Sequence, residues 1–280
     1  MNDPALSILI PAHDEAAYLP GCLQALLESD DPAGQNTEVI VVANGCTDDT
    51  AAVARAHQAT FAEKGWPLTV LDLPEGGKLN ALNAGEDVAG GRILVYLDAD
   101  VLVSPALLAE LAEALDVAPP RYASGRAEVT TEGSRMSAAY TRFWLTTPFL
   151  TDGVPGFGLF AMNRAGRDRW QDWPHIISDD TFARLHFSPE ERIAVRAGYR
   201  WPMIEGFGPL VRVRRRQDYG VTEIAERYPQ LLQNEDAGGG GVPVWRRALR
   251  DPVAFAAFVA VRLAVHLPLF RSADPWARGR

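Results

Sequence analysis

Short apolar runs recur along the first hundred residues, at Leu6 to Ile10, Glu38 to Val42, Leu68 to Leu71 and Ile93 to Leu97. Each is strand length and rich in β-branched residues, and helical patterns lie between them. Ala16 to Leu27 sets Leu19, Leu23, Leu26 and Leu27 on one helical face, and Asp48 to Phe61 is an alanine-rich helix. Ser104-Pro105 reads as an N-cap with proline at the first helical position, opening Ala106 to Leu115. Strands alternating with helices in this way are βα units feeding a mostly parallel sheet flanked by helices.

Pro119-Pro120 ends that regularity. A strand closing near Val129, an aromatic-rich helix from Ser137 to Leu150, a Gly153 to Gly158 loop and a strand at Leu159 to Met162 follow. Residues 235–243, with Gly238 to Gly241, have the composition of a flexible linker. Pro252 to Phe270 is apolar but carries Arg262 and His266, and Arg246, Arg247, Arg250 and Arg271 flank it. That pattern fits a basic amphipathic helix on a membrane surface and a packed core helix about equally. The organisation expected is therefore 1–118, a less regular 119–234 in the same domain, the linker 235–243 and a C-terminal helical tail 244–280.

Composition narrows the function classes. The 280 residues are 47% hydrophobic and 22% charged, enough for a full core. A net charge of -9 and a pI near 5.1 argue against a nucleic-acid partner. Cys22 and Cys46 are too few for a zinc cluster or a disulfide framework, and Met1-Asn2-Asp3-Pro4 lacks the basic start and apolar stretch of a secretory signal. A reduced, cytoplasmic compartment is expected.

The chemistry-bearing residues stand at the ends of the predicted strands. Asp98-Ala99-Asp100 directly follows Ile93 to Leu97, which holds two carboxylates at the rim where an open α/β sheet builds its ligand crevice. Carboxylate oxygens suit Mg2+ or Mn2+ shared with substrate phosphate; acids also finish strands as solvated caps. Pro11-Ala12-His13-Asp14-Glu15 follows the first run and Asn44-Gly45-Cys46-Thr47-Asp48-Asp49-Thr50 the second. At such turns backbone N–H groups and helix N-termini receive phosphate or a base edge, although Thr47 and Asp48 are good helix caps in their own right. Gly76-Gly77-Lys78 frees a lysine to reach a phosphate.

Taken in order, Pro-Ala-His-Asp-Glu, Asn-Gly-Cys-Thr-Asp-Asp-Thr, Gly-Lys-Leu-Asn-Ala-Leu-Asn-Ala-Gly and Asp-Ala-Asp resemble the family 2 glycosyltransferases over residues 5 to about 115. The resemblance implies a GT-A fold, a Rossmann-like sheet, a nucleotide-diphosphate sugar donor and inversion at the anomeric carbon. It assigns Pro11, Ala12, Glu15, Asn44, Lys78 and Asp98 to the nucleotide sugar, with Asn44 at the base, and His13 and Asp48 of the same strand-end clusters are expected beside them. Asp100, helped by Asp98, would hold Mg2+ or Mn2+. Asn44 and Ala43 stand where family members commonly carry acids, so the base is not carried over; a UDP-sugar is the default, with GDP or TDP as alternatives.

An inverting transfer needs a base for the acceptor hydroxyl. Asp179-Asp180 looks like the family's Glu-Asp segment, which makes Asp180 the base and Asp179 its orienting or acceptor-contacting neighbour; an N-cap pair on Thr181 to Phe187 is the plainer alternative. Gly156 to Ala161 nominally fits a dinucleotide fingerprint but comes too late in the chain, and is expected to line the donor–acceptor junction. Tyr140, Phe143, Trp144, Trp170 and Trp173 suit sugar stacking or, more simply, core packing. Arg212 to Arg216 suits a diphosphate or an anionic lipid-linked acceptor, and a solvated edge strand almost as well.

The function expected is a metal-dependent inverting transfer to a hydroxyl acceptor, such as a lipid-linked or cell-envelope glycan, by a cytoplasmic enzyme whose C-terminal segment either rests on the inner face of the membrane or packs on the core. A sugar nucleotidyltransferase is the rival enzyme, disfavoured because Pro11 to Glu15 has neither glycine nor lysine. A non-catalytic nucleotide-sugar-binding protein is the rival of another class.

Overall fold

In the computed structural model, which describes residues 5–32, 36–236 and 241–267, the first half follows the predicted order closely. Strands β1 (Leu6–Ala12), β2 (Thr37–Asn44), β3 (Leu68–Leu73) and β4 (Ile93–Leu97) are parallel, with Ile8 opposite both Val39 and Val95. All of β4, and all of β1 except Pro11, is buried, as expected of strands covered by helices on both faces.

Then β5 (Leu102–Val103), β6 (Tyr122–Thr130), β7 (Leu159–Asn163) and β8 (Arg192–Pro202) complete an eight-stranded sheet in the order β3-β2-β1-β4-β7-β6-β8-β5. The pairs β4–β7, β6–β7 and β5–β8 are antiparallel, so parallel pairing stops at β4.

Two local expectations change. The single helix over Asp48 to Phe61 is two, Thr50–Ala56 and Gln58–Lys64. The His57 ring nitrogen Nδ1 bonds the Val53 carbonyl at 2.9 Å, while the His57 N–H turns to Ala54 O at 3.1 Å, so the side chain displaces the regular backbone bond. Ser104-Pro105 forms a turn instead of the helix cap. Leu107 N–H reaches Ser104 O at 3.1 Å, and the helix Leu107–Leu115 starts after Ala106 with no side-chain cap.

The contacts divide the chain into two units, 1–128 with 156–175 and 186–201, and 129–155 with 176–185 and 202–280. The second is helical. Arg135–Trp144 packs Tyr140 and Phe143 against Phe258 and Phe255 of the helix Pro252–His266, at ring separations of 5.4 and 5.1 Å.

Arg212 to Arg216 lies inside the helix Phe207–Arg227 and forms no edge strand. Arg215 donates to the carbonyls of Val265 and Leu267, which satisfies the carbonyls at the end of the C-terminal helix. The start of the expected linker is tied down as well. Buried Arg184 bonds Glu235 at 2.6 Å and Asp236 at 2.8 Å, while Gly238 to Gly240 and Arg271 lie outside the described residues.

Candidate active site

The carboxyl ends of β1, β2 and β4 carry the polar clusters onto one rim of the first unit, because the strands are parallel and adjacent. Asn44, at the end of β2, is buried and bonded all round. Its amide donates to Ala12 O at 2.8 Å and Val42 O at 3.2 Å, and its Oδ1 accepts the Gly77 N–H at 2.9 Å. The side chain therefore joins the end of β1 to the Gly76-Gly77 loop. Gly45 makes the approach possible. With φ at 58°, it lies where an added Cβ would sit 2.5 Å from the Gly76 nitrogen.

The β1 turn is closed by carboxylates that cap the β2 turn and by a hydroxyl in return. Asp14 Oδ1 accepts the Thr47 N–H at 2.6 Å, Asp48 Oδ2 accepts the Ala16 N–H at 3.1 Å, and Glu15 N–H donates to Thr50 Oγ1 at 2.8 Å. The backbone bond from Thr47 holds the Asp14 carboxyl below the usual carboxylate range. Capping is thus one role of the 44–50 cluster, Asp48 included. His13 Nδ1 lies 2.5 Å from the Asn44 carbonyl.

At the end of β4, Asp98 and Asp100 are half-buried around the buried Ala99. Lys78 opens the helix Lys78–Val88 and its Nζ donates to Asp98 Oδ1 at 2.8 Å. Cys22 lies beneath, its Sγ 3.9 Å from Asp98 O. Burial first, then the charges of Asp100 and Asp98, push its thiol well up, so both carboxylates bear on the same thiol. The two carboxylates form a hard oxygen donor set that fits Mg2+ or Mn2+, with the Lys78 ammonium beside them.

Sequence reasoning missed the support of this turn. The Asp98 N–H donates to Gly158 O at 2.9 Å, and Tyr199 of β8 donates its hydroxyl to Phe157 O at 2.7 Å. Gly158 has φ at 75°, and an added Cβ would lie 2.5 Å from the Trp201 indole. The glycine loop thus carries the Asp98 turn; only its glycines were visible in the sequence, because β8 enters a hundred residues later.

Three of the aromatics proposed for sugar stacking, Tyr140, Phe143 and Trp173, are buried in packing. Trp173 also donates to Glu86 Oε1 at 2.6 Å in a buried cluster where Arg167 pairs with Glu86 at 2.6 Å. Trp144 is buried too, and Trp170 is half-buried beneath the Arg167 guanidinium.

In the second unit, Asp179 and Asp180 open the helix Asp179–Leu185 as its first two residues, with Ser178 before them. Asp179 is buried and Asp180 half-buried. The Asp180 Oδ1 accepts the Thr181 N–H at 2.7 Å, and Ile177 N–H donates to Glu223 at 3.0 Å.

An open α/β sheet with its polar groups at the carboxyl ends of parallel strands is the fold of several solved transferases. A mannosyltransferase from Pyrobaculum calidifontis, solved with GDP-Man and Mn2+, has a TM-score of 0.59 at 21% identity over 96% of this chain and 78% of its own. TarS residues 1–349 from S. aureus, solved with UDP-GlcNAc, has a TM-score of 0.52 at 16% identity over 93% of this chain and 81% of its own.

Residues 7–192 match Glycosyl transferase family 2, and the chain belongs to that family. A PGL/p-HBAD biosynthesis glycosyltransferase of Mycobacterium bovis is 32% identical over 100 residues, 36% of this chain and 37% of that protein. An undecaprenyl-phosphate 4-deoxy-4-formamido-L-arabinose transferase of Aeromonas hydrophila is 32% identical over 109 residues, 39% of this chain and 33% of its own. The matches thus span about a third of the length of these curated relatives.

Proposed function

We propose that the protein is a metal-dependent inverting glycosyltransferase that moves a sugar from a nucleotide-diphosphate donor, UDP-linked by default, to a hydroxyl acceptor. The observation that carries this reading is the placement of Asp98 and Asp100 at the end of β4, with Lys78 bonded to Asp98, beside the turns at 11–15 and 44–50. Pro11, Ala12, His13, Glu15 and Lys78 form the donor side. Asn44 acts through the shape of the turn, since its amide is already bonded to Ala12, Val42 and Gly77. Solved proteins of this fold bound to GDP-Man with Mn2+ and to UDP-GlcNAc support the donor class.

Asp100 and Asp98 would hold Mg2+ or Mn2+, which would supply charge neutralisation for the diphosphate leaving group. Asp180 takes the acceptor hydroxyl proton while that oxygen bonds the anomeric carbon and the bond to the diphosphate breaks on the opposite face. One displacement of this kind inverts the centre. Asp179, buried beside it, positions the base.

A lipid-linked or envelope acceptor agrees with the undecaprenyl-phosphate transferase among the relatives. It also agrees with the C-terminal helix. Ala254, Ala257, Val261, Ala264 and Val265 are buried on one face, yet the adjoining stripe, Val253, Ala256, Ala260, Leu263 and Leu267, is exposed and equally apolar. An exposed apolar stripe beside a buried face calls for a second apolar surface. Trp245 and Leu249 are exposed beside Arg246 and Arg250, the composition of an anionic lipid contact at the cytoplasmic face. Among the described residues no helix is long and apolar enough to cross a membrane.

The deciding experiment is a thermal-shift and turnover screen of nucleotide-diphosphate sugars with Mn2+ on the native chain and on Asp100→Asn. Ligand that binds only the folded state raises its melting temperature. A Mn2+-dependent shift and transfer that Asp100→Asn abolishes are expected; intact Mn2+-dependent transfer by the variant overturns the metal assignment.

A further inference from the structure

We propose that His13, Asp14 and Cys46 form a second cation site, one for a borderline divalent ion of the Zn2+ type, distinct from the oxygen pair Asp98 and Asp100. One ligand atom from each of the three residues lies within 4.8 Å of the others, and His13 Nε2 lies 3.9 Å from Asp14 Oδ2. In a tetrahedral zinc site, bonds of about 2.0–2.3 Å place neighbouring ligand atoms roughly 3.3–3.6 Å apart. Rotation of the Cys46 side chain and a small closure of the imidazole toward the carboxylate cover the difference. A nitrogen, an oxygen and a sulfur together select zinc-like ions over Mg2+ or Mn2+.

Hydrogen bonds outside the trio already aim it. His13 Nδ1 is bonded to the Asn44 carbonyl at 2.5 Å, which leaves Nε2 as the ring atom turned toward Asp14. A backbone carbonyl on the other ring nitrogen is the usual partner of a metal-binding imidazole. Asp14 Oδ1 is held by the Thr47 N–H at 2.6 Å, while Oδ2, which also accepts the Thr47 hydroxyl at 3.3 Å, is the oxygen on the His13 side. The backbone of Asp14 is left-handed, with φ at 53°, and it is the only non-glycine residue in that region among those described. Such a conformation persists where the surroundings over-determine it, typically at functional positions. Cys46 Sγ lies 3.5 Å from Ala12 O, at the mouth of the same turn.

The side chains of His13 and Asp14 are 33% and 35% exposed, so the ion has an entry path from solvent. Three protein ligands leave one coordination position open. Binding releases the Cys46 thiol proton to solvent and forms the metal–thiolate bond, so affinity rises with pH.

The test uses the full chain with Co2+ alone, then Zn2+, and no nucleotide sugar, so that failure of the donor reading leaves the result untouched. One equivalent of Co2+ should give a sulfur-to-cobalt charge-transfer band that Zn2+ displaces. Cys46→Ser should remove the band and His13→Gln should weaken Co2+ binding at least about tenfold. Cys22→Ser and Asp100→Asn should keep the band, which separates this site from the acids above Cys22. No sulfur-to-cobalt band, a band that survives Cys46→Ser, or one that Cys22→Ser removes would each overturn the proposal.

Discussion

Lys78 Nζ donates to Asp98 Oδ1 at 2.8 Å, which joins the first residue of a helix to the acid turn at the end of β4. The two side chains are 38% and 34% exposed. A pair this open contributes at most about 1 kcal/mol to folding, whereas a charged hydrogen bond to a diphosphate contributes roughly 1.5–3 kcal/mol. Lys78→Met is therefore expected to move the melting temperature by no more than about 4 °C, while kcat/KM for the donor falls about 10- to 100-fold. Calorimetry beside steady-state kinetics measures both; a large loss of stability with unchanged kcat/KM would reassign Lys78 to the scaffold.

Gly158 tests the support of the same turn. An alanine Cβ there meets the Trp201 indole at 2.5 Å, on a backbone with φ at 75°. The left-handed conformation costs an L-residue about 1–2 kcal/mol and overpacking about 1–3 kcal/mol more. Gly158→Ala should lower the melting temperature by at least about 4 °C and, because Gly158 O holds the Asp98 N–H, weaken Mn2+-dependent donor binding. Scanning calorimetry and titration of Mn2+ with donor read the two effects separately.

Asp180→Asn keeps an oxygen for the Thr181 N–H that Asp180 Oδ1 now accepts but removes the base. Turnover should fall by about 10²–10⁴ while donor affinity stays within twofold of the native chain. Near-native turnover with donor bound would place the base elsewhere.

The parallel half of the sheet was legible because each strand is an apolar run ending in a polar cluster, and parallel pairing puts those ends on one rim. Asn44 shows the limit of that reading. Its position was legible, but its bonds to Ala12, Val42 and Gly77 depend on three chain segments meeting. The arginines at 212–216 alternate in part as an edge strand would, yet lie in a helix, and the carbonyls that Arg215 bonds at the end of Pro252–His266 come fifty residues later. Trp201 carries no local signal at all; its part comes from lying over Gly158. Tertiary partners decided each case.

Asp251 caps the C-terminal helix, accepting the Ala254 N–H at 2.9 Å and the Arg142 guanidinium at 2.8 Å. The Arg142 bond first, then Ala254, hold its carboxyl below the ordinary value of 3.8. A depressed folded value means that this stabilisation is present above the unfolded value of about 3.9 and lost as pH falls through the folded one. Asp251→Asn retains the cap but not the ion pair. The gap in melting temperature between native chain and variant should be widest near neutrality and should close below about pH 4. A gap that stays unchanged as the pH is taken well below that range would rule out the ion pair as its source.

The exposed apolar stripe of the same helix gives the last expectation. Leu263 is 64% exposed, and Leu249, on the short helix Val244–Arg250 before it, is 74% exposed. Replacing either in solvent should change folding stability by no more than about 0.5 kcal/mol. Burying a leucine in lipid contributes roughly 1.5–3 kcal/mol, so Leu263→Asp and Leu249→Asp should each lower the partition coefficient onto anionic vesicles at least about tenfold. The fall should persist at high salt, because it comes from apolar contact, whereas Arg246→Gln with Arg250→Gln should weaken binding chiefly at low salt. Vesicle sedimentation across ionic strengths separates the two contributions. Unchanged sedimentation of Leu263→Asp and Leu249→Asp would show that the stripe faces something other than lipid.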